Sequence, residues 1–106
     1  MKQFIHPKKE DITLSGILNA LGDPVRMNIF KGMMNNNGCM SCSEASPCTS
    51  IPKSTLSHHF RILRESGLIH TTKQGVEHRN IIRVADIKER FPGLLETLMN
   101  LIKREN

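Results

Sequence analysis

The chain has 106 residues and a formal net charge of +5; aromatics make up 4% of it, with no Trp or Tyr. That length fits one domain with an aliphatic, methionine-rich core, and the basic balance favours a polyanionic partner. No apolar run nears the roughly 18 residues of a membrane span, the first residues lack the apolar centre of a secretion signal, and three cysteines make no disulfide framework, so a cytoplasmic protein with no membrane partner is expected.

Residues 1–10 are polar and basic, with Pro7 opposing a helix, and read as a loose tail ahead of a domain spanning 11–106. Asp11 is a candidate cap for a first helix that carries Leu14, Ile17, Leu18 and Leu21 on one face and stops at Gly22. Asp23 and Pro24 start a second helix at once, as cap and first helical residue. Val25, Ile29, Phe30 and Met33 form its inward face, and Arg26 points off that face. Asn35 to Gly38 is a stop. From Asn35 to Ser50 the only charged residue is Glu44; this Ser-rich stretch holds the cysteines and reads as a loop with a short helix somewhere in 43–50.

The most informative stretch runs from Pro52 to Gly67. Pro52 suits a helix start, and Gly67 suits the left-handed residue past its end. Leu56, His59, Phe60 and Leu63 share one face, while Ser54, Ser57, His58 and Arg61 share the opposite one. Short hydroxyls, an imidazole and a guanidinium suit hydrogen bonding to base edges and phosphates. An ordinary amphipathic helix with a polar exterior has the same spacing, so the residues that follow must decide. Residues 68–73 are β-prone, Gln74 and Gly75 signal a turn, and 77–84 is β-prone again.

A polar-faced helix running into a basic-tipped ribbon is the layout of a mainly α, winged helix-turn-helix with a two-stranded β wing. Lys53 and Arg61 are then expected at phosphates or guanine edges, and Ser54, Thr55, Ser57 and His58 are expected to read base edges or position the helix. Lys73, His78 and Arg79 are expected over the backbone or minor groove beside the wing. His59 reads as a packed core histidine, and Glu65 as solvent-facing.

Asp86 and Glu89 have the spacing of a capping box, and Phe91 with Pro92 bends or restarts the last helix. Phe91, Leu94, Leu95, Leu98, Leu101 and Ile102 then form a stripe too apolar for solvent. It packs either on the chain's own core or in a homodimer interface shared with the first helix. The small core favours the second, through Leu14, Leu18, Leu94, Leu95, Leu98, Leu101 and Ile102 as terminal dimerisation contacts. Two recognition helices about one helical turn apart, roughly 34 Å, call for an imperfectly palindromic double-stranded DNA operator.

Three segments carry a family resemblance. LNALGDPVRMNIF at 18–30 resembles the opening signature of the ArsR/SmtB-type repressors. STLSHHFRILRESGLI at 54–69 resembles their recognition helix running into the wing, and Gly75 with RFPGLL at 90–95 resembles the wing and last helix of one branch. The resemblance implies a homodimeric transcriptional regulator, a repressor that leaves its operator when a signal binds. It also implies that Arg26 supports the fold. Arsenic-sensing relatives carry paired cysteines just before the recognition helix, usually as C-x-C after Glu-Leu. Here Cys39 and Cys42 have C-x-x-C spacing and Cys48 follows after five residues. Three thiolates suit a thiophilic metal or metalloid, and three unliganded loop cysteines remain the alternative. Residues 86–106 hold no His, so the zinc-sensing pattern of the last helix is absent. There is no glycine-rich phosphate loop, nucleophile elbow or acid cluster, so the chain is not expected to be an enzyme. The rival reading is a non-enzymatic metal- or metalloid-binding protein centred on the cysteine loop.

Overall fold

The structure, a computed structural model, describes residues 4–41 and 51–105. A 3-10 turn, Lys9–Asp11, leads into helix α1, Leu14–Leu21. Thr13, not Asp11, caps this helix: Thr13 Oγ1 accepts from the Gly16 amide at 3.0 Å. A hydroxyl on the residue directly before the first turn reaches that amide, whereas Asp11 lies two residues too far back. Helix α2, Pro24–Asn35, begins where the sequence placed it, with Asp23 Oδ2 accepting from the Val25 and Arg26 amides at 2.9 and 3.2 Å. Partial burial raises the Asp23 pKa, but the two amides and the Arg26 charge outweigh it and leave the carboxyl below its ordinary value. The helix closes through Asn37 and Gly38, both at positive φ, with the Gly38 amide 2.7 Å from Met33 O.

The chain then departs from the expected loop. Cys39–Ser41 forms a short strand, β1. Nothing in three residues announces a strand; the pairing partner supplies it. The short helix expected within 43–50 lies outside the described residues.

Helix α3, Lys53–Glu65, follows Pro52 and buries Leu56, Phe60 and Leu63. Ser66 Oγ closes its end, donating to Leu63 O at 2.7 Å and accepting from the Leu68 amide at 3.2 Å. Gly67 has φ +89°, and a Cβ there would lie 2.5 Å from Ile12 Cγ1, so both backbone and space demand glycine. Strands β2, Ile69–Gln74, and β3, Glu77–Ile82, pair antiparallel from Ile69 opposite Ile82 to Gln74 opposite Glu77. Gly75 and Val76 make the two-residue tip. Strand β1 joins the far side of β3, so the expected two-stranded wing belongs to a three-stranded sheet of order β1-β3-β2.

Helix α4, Val84–Arg90, takes Val84 from the expected second wing strand, with Arg83 as the residue before its first turn. Asp86 is not its cap but sits in the first turn, where it accepts from Arg83 Nε at 3.1 Å and pairs with Nη2 at 3.0 Å. Gly93, at φ +86°, separates it from helix α5, Leu94–Glu105, so the chain restarts at Phe91 and Pro92 rather than bending through them. One core gathers Ile17 from α1, Phe30 from α2, Leu56 from α3, Ile69 from β2, Ile87 from α4 and Leu95 and Ile102 from α5. Leu95 and Ile102, expected at a dimer surface, are therefore core residues of the single chain. Among the described residues, no helix is long and apolar enough to cross a membrane.

The described part of the expected loose tail, residues 4–10, is tied down. The Thr71 amide donates to His6 Nε2 at 2.9 Å, Arg83 Nη1 donates to Pro7 O at 2.8 Å, and Lys9 pairs with Glu89 at 2.9 Å. Thr71 lies on the edge strand, with its amide directed away from β3, so His6 satisfies an edge donor that the sheet leaves open.

Candidate nucleic-acid interface

Lys53, Ser54, Thr55, Ser57, His58 and Arg61 are all exposed along one side of α3. The opposite side is anchored in the core by Leu56, Phe60 and Leu63, which fixes the direction in which the polar groups point. His59 is half-buried beside them. Arg26 on α2 reaches across, donating through Nε to Ala20 O at 2.6 Å and through Nη1 to His59 Nδ1 at 3.2 Å. A guanidinium only donates, so His59 accepts through Nδ1 and carries its proton on Nε2. Arg26 thus braces α1 and α3 against each other, and His59 is a structural histidine.

Lys73 and Arg79 are exposed on the wing, and Val76 at its tip is 96% exposed. His78 is placed differently from its expected position over the backbone: half-buried, its ring meets the Phe4 ring edge-on at 4.8 Å. The ion pairs found among the described residues are Lys9–Glu89, Arg83–Asp86 and Lys88–Glu96. None of them neutralises Lys53, Arg61, Lys73 or Arg79, which leaves a row of positive charge from α3 to the wing available to an anion.

The other expected residues divide. Leu14, Leu18 and Leu101 are 44%, 47% and 53% exposed, while Leu94 and Leu98 are half-buried. Cys39 is half-buried in β1 as a free thiol; Cys42 and Cys48 lie outside the described residues. Among the described residues, no group of three His, Cys, Asp or Glu side chains is gathered as a metal site.

A family profile described as a helix-turn-helix domain matches residues 21–72, which takes in α2, α3 and the start of the wing. The chain is 33% identical over 91 residues to an uncharacterized HTH-type transcriptional regulator, YceK, of Bacillus subtilis (strain 168), covering 86% of this chain and 91% of that one. It superposes on the crystal structure of an ArsR family transcriptional regulator with a TM-score of 0.63 at 25% identity, covering 93% of this chain and 97% of the other. The chain belongs to the ArsR/SmtB-type winged helix-turn-helix regulators. The transcriptional repressor BigR of Xylella fastidiosa shares the fold, with a TM-score of 0.58 at 24% identity over 74% of this chain and 85% of that one.

In this ArsR-type regulator, sequence reasoning overlooked Phe4, His6, Arg64 and His70 around the wing. Arg64 is half-buried, with its guanidinium carbon 4.7 Å above the Phe4 ring. Burial draws the Arg64 pKa below its ordinary value; Glu65 opposes this and Arg61 adds to it. His6 stacks on His70 at 4.0 Å, and its pKa is lowered to about 4, first by burial and then by the charges of His70, Arg64 and Arg83. The one available signal was compositional: Phe4 and Ile5 are apolar residues in a tail otherwise read as polar.

Proposed function

We propose that this regulator is a homodimeric repressor that inserts α3 into the major groove of an imperfectly palindromic operator and leaves it when a signal binds. The observation that carries the reading is the exposed polar side of α3, backed by core anchors and continued by unneutralised Lys73 and Arg79 on the wing. Lys53 and Arg61 meet phosphates or guanine edges, Ser54, Thr55, Ser57 and His58 meet base edges, and Lys73 and Arg79 follow the backbone. Leu14, Leu18, Leu94, Leu98 and Leu101 are the remaining apolar groups for the partner copy. The molecule measures 35 × 33 × 22 Å, a width compatible with a side-by-side pair whose recognition helices lie one helical turn, roughly 34 Å, apart.

Cys39, with Cys42 and Cys48, is the proposed receptor for a thiophilic metal or metalloid. Its support is position: Cys39 lies opposite Ile81 on β3, so a ligand pulling on β1 acts on a wing strand. Release then requires the liganded state to disfavour the spacing of the two recognition helices. Thiol counting before and after arsenite, with metal analysis of protein purified without chelator, tests this step.

The decisive experiment is gel retardation with the DNA upstream of the protein's own gene. A salt-sensitive, sequence-selective shift is expected, and Arg61→Ala weakens it by more than about 1 kcal/mol through loss of a charge-assisted contact. Unchanged operator affinity in that variant refutes the groove assignment. Tight metal retention with no shift supports the metal-binding rival instead.

A further inference from the structure

A groove of ≈ 330 Å³ lies between α3 and the β2–β3 hairpin, with Ser57, His58, Arg61 and Arg64 on one wall and His78 and Asn80 on the other. Among the described residues, no carboxylate lines it. Arg61 and Arg64, one helical turn apart, give it two guanidinium groups. Among the described residues, none accepts a hydrogen bond from Arg64. Its contact is the stacking on Phe4, which occupies one face of the guanidinium and leaves the in-plane N–H groups free. That edge has the fork geometry that binds a phosphate through two parallel hydrogen bonds.

Phe4 touches both sides of the groove. Its ring lies under Arg64 of the helix and meets His78 of the wing. The bonds of His6 to the Thr71 amide and of Pro7 O to Arg83 hold the segment that carries it. A helix in the major groove and a wing beside the minor groove stand on either side of one sugar–phosphate strand. The space between them is where that strand must pass.

We propose that this groove seats one backbone phosphate of the duplex, with Arg64 as its main donor and Phe4 as the residue that positions Arg64. The N-terminal segment is then part of the DNA interface without touching a base. The proposal rests on the DNA-binding reading above, and the test separates the two.

Affinities of the full chain for its upstream duplex and for a random duplex of equal length are measured over a range of salt concentrations. Unfolding curves are recorded for each variant. Arg64→Gln lowers the slope of log K against log salt by about 1 and weakens both duplexes roughly alike, by about tenfold or more. Arg64→Lys keeps the charge and the slope but binds several-fold more weakly, because an ammonium cannot form the paired bonds. Phe4→Ala weakens both duplexes several-fold, and Phe4→Tyr restores them. If Arg64→Gln does not fold, the Lys and Phe4 variants decide. Wild-type binding with unchanged affinity and slope in the Arg64 variants overturns the phosphate seat alone. Loss confined to the upstream duplex at unchanged slope also overturns it, because that marks a base reader. Failure of the wild type to bind either duplex overturns the DNA-binding reading and the seat with it.

Discussion

Arg26→Ala tests how the recognition helix is held in place. The Arg26 side chain gives one hydrogen bond to Ala20 O at 2.6 Å, at the end of α1, and one to His59 Nδ1 at 3.2 Å, in the middle of α3. A hydrogen bond involving a charged group is worth about 1.5–3 kcal/mol, so two set an outer range of about 3–6 kcal/mol. Water reaches half-buried His59 and replaces part of what is lost, which brings the expected destabilisation to about 2–4 kcal/mol. A domain of this size is stable by only about 5–15 kcal/mol, so the change is easily measured. In urea the midpoint falls while the m-value is kept, because the same surface is exposed on unfolding. Combining the variant with His59→Ala yields a coupling energy of about 1 kcal/mol or more. The salt slope of DNA binding stays where it is, since Arg26 faces α1 and α3 and not the duplex. A stability change under about 0.5 kcal/mol, or a reduced salt slope in a stable variant, refutes this reasoning and returns Arg26 to the DNA.

Two further predictions concern the surfaces. Leu101→Glu places a charge on the exposed side of α5 without disturbing the core, and sedimentation is expected to give monomers with poor DNA affinity; an intact dimer refutes the interface. His6 sets a pH limit on the docking of the N-terminal segment. Its pKa falls from an ordinary value of 6.5 to about 4, so between these values the undocked state binds more protons than the docked one. The stabilisation is whole above pH about 6.5 and drains away as pH falls to about 4, on the order of 1–2 kcal/mol after allowance for solvent screening. Hydrogen exchange at the Thr71 amide should quicken across that window, and a flat profile counts against the His6 bond.

Much of the fold was legible because its elements carry their own punctuation. Asp23 and Pro24 cap α2 by local geometry alone, and Gly67 marks a backbone conformation that other residues resist. The period of Leu56, Phe60 and Leu63 places one side of α3 inward and so turns Ser57 and Arg61 outward. Where the sequence misled, the deciding contact was distant. Leu95 and Ile102 belong to the same stripe as Leu101, yet the curvature of the core takes the first two and leaves the third exposed. Periodicity identifies an apolar side but not what covers it. Cys39–Ser41 became a strand through Ile81, Asn80 and Arg79, some forty residues away.

By itself, then, the order of residues determined a helix with one apolar and one polar side, a hairpin after it and the family to which they belong. These follow from spacing and turn chemistry within a dozen neighbours. Only the tertiary structure decided that Phe4 joins helix to wing, that His6 closes an edge amide, and that Arg64 lies half-buried against the Phe4 ring. Each of those depends on two segments some sixty or more residues apart arriving at one place, which no local pattern encodes.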